Sequence, residues 1–317
     1  MEQELLQLLA DTQSSHSNTI KTAELRLLSL YSNEAFPLSL VSIASHESVP
    51  ANLRQSALSV LRTFIQAAWS PHLDEFKGTV LVSDANKAQL RRALLELATT
   101  STTPERKVKA AASYAVSKIA AADFPEEWPD LLPTLLQIIN DPNSNNSTLH
   151  GALKVLLDLV DTGFNEEQFF AVARELVSSL FAVATNESRT TVLRALAVSV
   201  FRSSFDTLEM VLDNHKAAVR QFTEEALTGW LPFFLSILKA PLPQELSDTE
   251  DYRGLVALKL QVVKTLMKIR NVFPTLLTNQ SPNLFTTVWS ELSNIHGHYA
   301  SSYITDDRQS RLEDADG

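Results

Sequence analysis

The chain has 317 residues, 44% of them hydrophobic and 20% charged, a composition that belongs to globular rather than disordered sequences. Seven glycines, no two closer than Gly151 and Gly163, exclude the G-x-G-x-x-G dinucleotide loop, the G-x-x-x-x-G-K phosphate loop and the G-x-S-x-G nucleophile elbow; the absence of cysteine excludes disulfides and thiol catalysis. Twenty-seven basic against thirty-seven acidic side chains leave a net charge of −10, which argues against general binding of nucleic acid and favours a basic protein partner.

Taken in chain order, the N-terminal MEQELLQLLADTQ carries Glu2 and Glu4 and mixes polar with apolar residues, unlike a signal peptide. A first helical pair is predicted over about 1–31 and a second over 34–68, where Leu53, Ala57, Val60, Leu61, Phe64 and Ala68 trace one apolar stripe. The linker Ser70–Ser83 interrupts the rhythm. Further pairs follow over 84–122, 125–162, 166–205 and 215–273, with a partial seventh from 283. Prolines (Pro37, Pro50, Pro104, Pro125, Pro142, Pro241, Pro282) fall between stripes or in first turns, and capping boxes are read at Thr102/Glu105, Asn165/Gln168 and Ser247/Glu250. A second linker, Ala240–Asp251, has four acids and no base. The longest uncharged run, between Arg270 and Glu291, contains Pro274, Asn279, Gln280 and Pro282, so no membrane span is expected. The last residues, 306–317, read as an acidic flexible tail or the start of a loop, and the natural chain is expected to continue.

Four segments beginning at Leu53, Val108, Leu149 and Leu193 superimpose as sequences. Their fifth column is Ala57, Ala112, Leu153, Ala197; their ninth is Leu61, Val116, Leu157, Phe201; their second is Arg54, Lys109, His150, Arg194. Each follows another amphipathic stretch, so the unit is a helical hairpin of roughly 40 residues, the period of HEAT or armadillo repeats. Such hairpins cannot bury their apolar faces alone. The fold class is therefore an all-α, right-handed α-solenoid of HEAT repeats, six to seven of them over 1–305, with first helices outside, second helices inside and no domain boundary between.

No catalytic arrangement, cofactor site or metal site is read. His296-x-His298 is the one close histidine pair and lacks the cysteine or E-x-x-H helix that zinc would need. The pairs Glu126/Glu127, Glu166/Glu167 and Glu224/Glu225 sit where helix dipoles or solvent explain them. Trp69, Trp128, Trp230 and Trp289 are expected to close hairpins from the core rather than to anchor a partner.

The stretch DFPEEWPDLLPTLLQIINDP, Asp123 to Pro142, is the most specific in the chain. With its aspartate taken as a cap, and with the preceding SYAVSKIA helix (Ser113 to Ala120), it resembles the start of the fourth HEAT repeat of the importin-β (karyopherin) superfamily. TAELRLLSLYSN (Thr22 to Asn33) is similar to that family's second helix, while Leu61-Arg62-Thr63 departs from its Leu-Lys-Asn. SYAVSKIAAADFPEEWPDLL, HGALKVL at His150 and QFTEEAL at Gln221 are similar to the importin-9 branch. The resemblance covers essentially the whole chain, its first 100 residues corresponding to the family's N-terminal region. It implies a monomeric nuclear transport receptor that shuttles between cytoplasm and nucleus, binds Ran-GTP on its inner helices, holds phenylalanine-glycine nucleoporins in outer grooves and carries basic cargo such as core histones or ribosomal proteins. An exportin of the same superfamily and a non-transport HEAT scaffold are the alternatives.

On that reading the open sides of the second helices are the candidate Ran-binding positions: Gln55, Ser59, Arg62 and Gln66, then Tyr114, Ser117 and Lys118, then Lys154, Asp158 and Asp161. Basic cargo is expected to meet Asp158 and Asp161 and the linker acids Glu245, Asp248, Glu250 and Asp251, a linker too proline-rich to be helical.

Overall fold

A computed structural model describes residues 1–99, 106–162, 166–242 and 250–300; among these the chain forms thirteen α-helices, one short 3-10 turn and no strand. The capping boxes at Thr102/Glu105, Asn165/Gln168 and Ser247/Glu250 and the tail 306–317 are not wholly within the described residues. No described helix is long and apolar enough to cross a membrane. The helices group into two compact units, Met1–Val183 and Ala184–Gly317.

In the first unit α1 (Glu2–Asp11) pairs with α2 (Ser17–Ser29), α3 (Phe36–Ser45) with α4 (Ala51–Ala68), α5 (Asp84–Thr99) with α6 (Arg106–Asp123) and α7 (Leu131–Asn140) with α8 (Asn146–Thr162). Helix α9 (Glu166–Thr185) follows. The second helices pack side by side, α4 on α6 and α6 on α8, and the first helices form the other layer, with α1 against α3 and α3 against α5. Apolar positions on α4 and α6 support the layering, since Ala57, Leu61, Phe64, Ala112 and Val116 are fully buried. The loop Ser70–Ser83 lies back over the end of α4, its Lys77 and Leu81 amides donating to the carbonyls of Ala67 (2.9 Å) and Ala68 (3.0 Å).

One column of the superposition shifts in α8. Leu153 and Leu156 are buried, but Leu157 is only partly so. α8 is held by α6, α5 and α7 together, and Leu157 falls on the remaining side, in register with Lys154, Asp158 and Asp161. On the packed side Gly151 crosses α5 so closely that a Cβ would stand 2.0 Å from the Ala98 carbonyl oxygen.

The Asp123–Pro142 motif proves to be an anchor rather than a cap. Asp123 is the last residue of α6, and α7 opens at Leu131 without a side-chain cap. The buried Asp123 carboxylate accepts hydrogen bonds from Trp69 Nε1 (2.8 Å to Oδ2) and from Arg91 Nε and Nη2 (2.9 and 2.6 Å). Arg91 Nη1 also donates to the Glu127 carbonyl, and its guanidinium lies 6.0 Å from the rings of both Trp69 and Trp128. Three helices of two neighbouring hairpins are tied at this point: α4 through Trp69 at its end, α5 through Arg91 and α6 through Asp123. The Phe124–Pro125 peptide beside it is cis.

The second unit contains α10 (Thr191–Met210), α11 (Leu212–Lys239), α12 (Glu250–Val272) and α13 (Ser281–Tyr299). α10 is buried along nearly its whole length, packed on α12 and α11. Phe201 stacks on Trp230 at 4.0 Å and 3°, with Phe205 and Phe234 around the pair. Gly254 admits Thr191, whose Oγ1 would lie 1.9 Å from an added Cβ. Trp69, Trp128 and Trp230 are core residues, as expected, but Trp289 is 60% exposed and stacks on the exposed Phe285. α13 packs against α11, and no described helix covers the side that carries these two rings.

Two members of the second column, Arg54 and Arg194, share a chemistry with Lys259 of α12. Arg54 Nε donates to the Ala44 carbonyl (2.7 Å), Arg194 Nε to Ala184 (2.8 Å) and, on α12, Lys259 Nζ to Leu238 (3.1 Å). Each acceptor is the penultimate residue of the preceding first helix, where carbonyls lack an intrahelical partner and a cation offsets the helix dipole. Lys109 departs from this and donates to the Ser147 hydroxyl.

Candidate protein-docking face

The open side of the second helices in the first unit carries the candidate residues, and the structure sorts them. Gln55, Ser59 and Arg62 are exposed on α4, and Gln66 is half-buried, donating to Glu75 of the following loop (2.8 Å). On α6, Tyr114 is 42% exposed and Lys118 half-buried. Arg62 and Lys118 approach the Tyr114 ring at 5.3 and 5.6 Å from its centroid, so two helices bring two cations to one aromatic. Ser117 does not belong to this face. It is buried, with its hydroxyl turned back to donate to the Tyr114 carbonyl, because its place on the helix lies toward the packed side.

On α8 the Asp158 carboxylate accepts from Lys154 Nζ and from Ser113 Oγ of α6, both at 3.2 Å. Asp158 thus joins two neighbouring helices and has its charge compensated, whereas Asp161 is exposed. His150, one turn N-terminal to Lys154, is pushed below its ordinary pKa of 6.5 by burial and then by the positive charges of Arg106, Lys109 and Lys154. Of the linker acids, Glu245 and Asp248 lie outside the described residues. Glu250 and Asp251 fall at the start of α12 instead of continuing a loop.

Sequence reasoning passed over the apolar half of this face. Between α2 and α4 opens a cavity of about 380 Å³ lined by Leu27, Leu28, Tyr31, Val60 and Arg62, with Glu24 on its α2 wall. Tyr31 makes edge contact with Phe64 at 5.0 Å and a tilted contact with Phe36 at 5.4 Å, and burial raises its pKa. Leu25 and Leu28 stand exposed at 68% and 48%, one turn apart on α2. The signal for them was the run ELRLLSL, which holds more leucines than one buried face of a helix uses.

On the opposite layer, the short helix α7 has a groove on each side. The one toward α5, about 550 Å³, is lined by Arg91, Arg92, Glu96, Asp130 and Trp128; the one toward α9, about 450 Å³, is mainly apolar, with Phe124, Pro125, Pro129, Leu132, Leu136 and Val172 beside Gln137, Asn140 and Glu175. Among the described residues no three His, Asp or Glu side chains converge on a metal position.

These features define an α-solenoid of HEAT-type hairpins. Residues 23–100 match the importin-beta N-terminal domain family. The chain is 32% identical over 313 residues to importin subunit beta-5 of Schizosaccharomyces pombe, covering 97% of this chain and 31% of that protein. It is 20% identical to importin-9 of Drosophila melanogaster over 317 residues, covering all of this chain and 30% of that one. Similar solved structures include the exportin Cse1 in its cargo-free state (TM-score 0.67, 18% identity, 91% of this chain and 32% of that one) and a Kap95:Nup1 complex (0.66, 15%, 88% and 30%). Kap95p bound to RanGDP is a third (0.65, 16%, 95% and 35%). The chain belongs to the importin-β (karyopherin) superfamily. It spans under a third of the length of the two relatives named.

Proposed function

We propose that this chain is the N-terminal part of a nuclear transport receptor of the importin kind, which binds Ran-GTP on the open face of α2, α4 and α6 and contributes to holding basic cargo. The observation that carries this reading is the position of that face. The α2–α4 cavity, with its exposed Leu28, and Arg62 lie within residues 23–100, the stretch that matches the importin-beta N-terminal domain, and Arg62 meets Tyr114 of α6, over which Lys118 also lies. That Kap95p, a structural neighbour, has been seen with RanGDP supports the same partner. The apolar groove between α7 and α9 suits the phenylalanine side chains of nucleoporins, a reading supported by the Kap95:Nup1 complex. The net charge of −10 suits core histones or ribosomal proteins as cargo, with Asp161 and the acids from Glu245 to Asp251 as its contacts on this part of the protein. The receptor works as a monomer, without cofactor or catalysis, and shuttles between cytoplasm and nucleus.

Because the structural neighbours include the exportin Cse1, direction is the point to test. Ran-GTP and cargo bound to one receptor are reciprocally linked. In a pull-down of a core histone dimer by this chain, Ran-GTP should release the histone and Ran-GDP should leave it bound. Stronger retention with Ran-GTP would make the protein an exportin, and indifference to Ran in either state would leave a HEAT scaffold.

A further inference from the structure

A buried lysine without a counter-ion marks one end of the seam between α6 and α8. Lys109 of α6 is 6% exposed, makes no ion pair with a described carboxylate, and directs its ammonium at the Ser147 hydroxyl of α8. That neutral acceptor satisfies one of three N–H donors and offsets none of the charge, and a buried charge left uncompensated is costly. Further basic groups flank the contact. Arg106 stands one turn before Lys109 on α6, and His150 and Lys154 stand one and two turns after Ser147 on α8. The charges that act on His150 are all positive, those of Arg106, Lys109 and Lys154. The carboxylate further along the seam, Asp158, already receives Lys154 and Ser113. Ser147 itself is exposed, in the first turn of α8, where the helix dipole favours negative charge. Its amide and that of Thr148 are taken by the Asn145 side chain, so a group added to the hydroxyl is left to the side-chain cations.

We propose that Ser147 is a phosphorylation site and that the α6–α8 seam is its phosphate clamp, with the Lys109 ammonium as the direct partner of the phosphate and Arg106 and His150 closing on its outer oxygens. The phosphoryl group comes from a nucleoside triphosphate through a protein kinase acting on the exposed start of α8. Ser147 Oγ forms the new bond to the γ-phosphorus, the bond to the nucleoside diphosphate breaks, the diphosphate leaves, and the hydroxyl proton passes to the kinase's base. The product carries nearly two negative charges and three strong acceptor oxygens in place of one neutral hydroxyl. At Lys109 a neutral hydrogen bond becomes a charge-assisted one, which is roughly twice as strong. Because α6 and α8 are the second helices of consecutive hairpins, the modification stiffens one joint of the solenoid. The clamp works the same way whichever partner the open face binds.

The test places phosphoserine at position 147 of the whole chain by genetic code expansion and compares it with the unmodified chain. The phosphorylated chain should melt about 4 °C higher. Its His150 imidazole, followed by NMR, should titrate at a higher pH, since a dianion then offsets the three cations. Lys109→Met should remove most of the gain in melting temperature, and phosphoserine at the exposed Ser15, in the turn between α1 and α2, should give none. If Lys109→Met does not fold, the His150 titration still decides. An unchanged melt together with an unchanged His150 titration overturns the clamp. Mass spectrometry of the tryptic peptide Ile119–Lys154, from protein isolated from its own cells, should show phosphate on Ser147, and its absence there overturns the modification. Inorganic phosphate added to the unmodified chain should shift the His150 resonances only weakly. A full shift, with Ser147 unmodified in cells, gives the seam to a phosphate group from outside and overturns the proposal.

Discussion

Replacing Asp123 by alanine tests the junction at which three helices of the first unit are tied. The carboxylate is 3% exposed and Arg91 opposite it 13%, so the substitution leaves a buried guanidinium without its counter-charge, a loss of about 3 to 5 kcal/mol. Trp69 Nε1 loses its acceptor at the same time, which on its own costs about 1 to 3 kcal/mol, though the two losses overlap because they share one carboxylate. About 4 kcal/mol is the resulting expectation. A unit the size of Met1–Val183 has a melting entropy of about 0.4 kcal/mol per kelvin, which converts that loss into a midpoint lower by about 10 °C. Circular dichroism melts of the two proteins read this directly. Combining Asp123→Leu with Arg91→Met should cost clearly less than the sum of the separate changes, since no charge is then left buried. A drop below about 1 kcal/mol for Asp123→Ala, or strict additivity in the double variant, would refute the reasoning.

Gly151→Ala should destabilise by about 1 to 3 kcal/mol, because its new methyl meets the backbone of α5 rather than a side chain that can move; equilibrium urea unfolding measures it. Leu156→Ala should cost about 2 to 5 kcal/mol and Leu157→Ala, although it stands in an aligned apolar column, well under half as much in the same assay. His150 supplies a pH dependence. Its folded pKa is lowered, so below 6.5 the unfolded chain takes up a proton that the folded chain refuses, and stability falls as pH drops through that value until the folded pKa is reached. Urea midpoints of His150→Gln, followed from pH 8 downward, should decline less than those of the unaltered protein, and identical declines would assign the effect elsewhere.

The helical pairs were legible because an apolar stripe at helical spacing is a local property, and the stretches 34–68 and 84–122 show it without any knowledge of what they pack against. The role of Asp123 was not legible in the same way. Its partner Trp69 lies 54 positions away, and a carboxylate next to a proline and a tryptophan reads equally as a cap until the second chain segment is seen. The basic second column was visible as a column, yet the acceptors of Arg54 and Arg194 are backbone carbonyls at helix ends, which have no signature in a sequence. Leu157 was misjudged because the superposition assumes that every second helix is gripped from the same sides, whereas α8 is held by α5, α6 and α7 and turns Leu157 outward. Arg62, Tyr114 and Lys118 followed from opposing the stripe, while the leucine-rich run of α2 does not tell which leucine is covered: Leu27 is buried and Leu28 exposed.

The most direct test of the account is the dissociation constant of this chain for Ran in its two nucleotide states, measured in one assay at physiological ionic strength. The account predicts binding to the GTP form tighter than to the GDP form by about tenfold or more, the size of coupling that a nucleotide-driven transport cycle needs. Equal affinity for the two forms, or no binding to either, would contradict it.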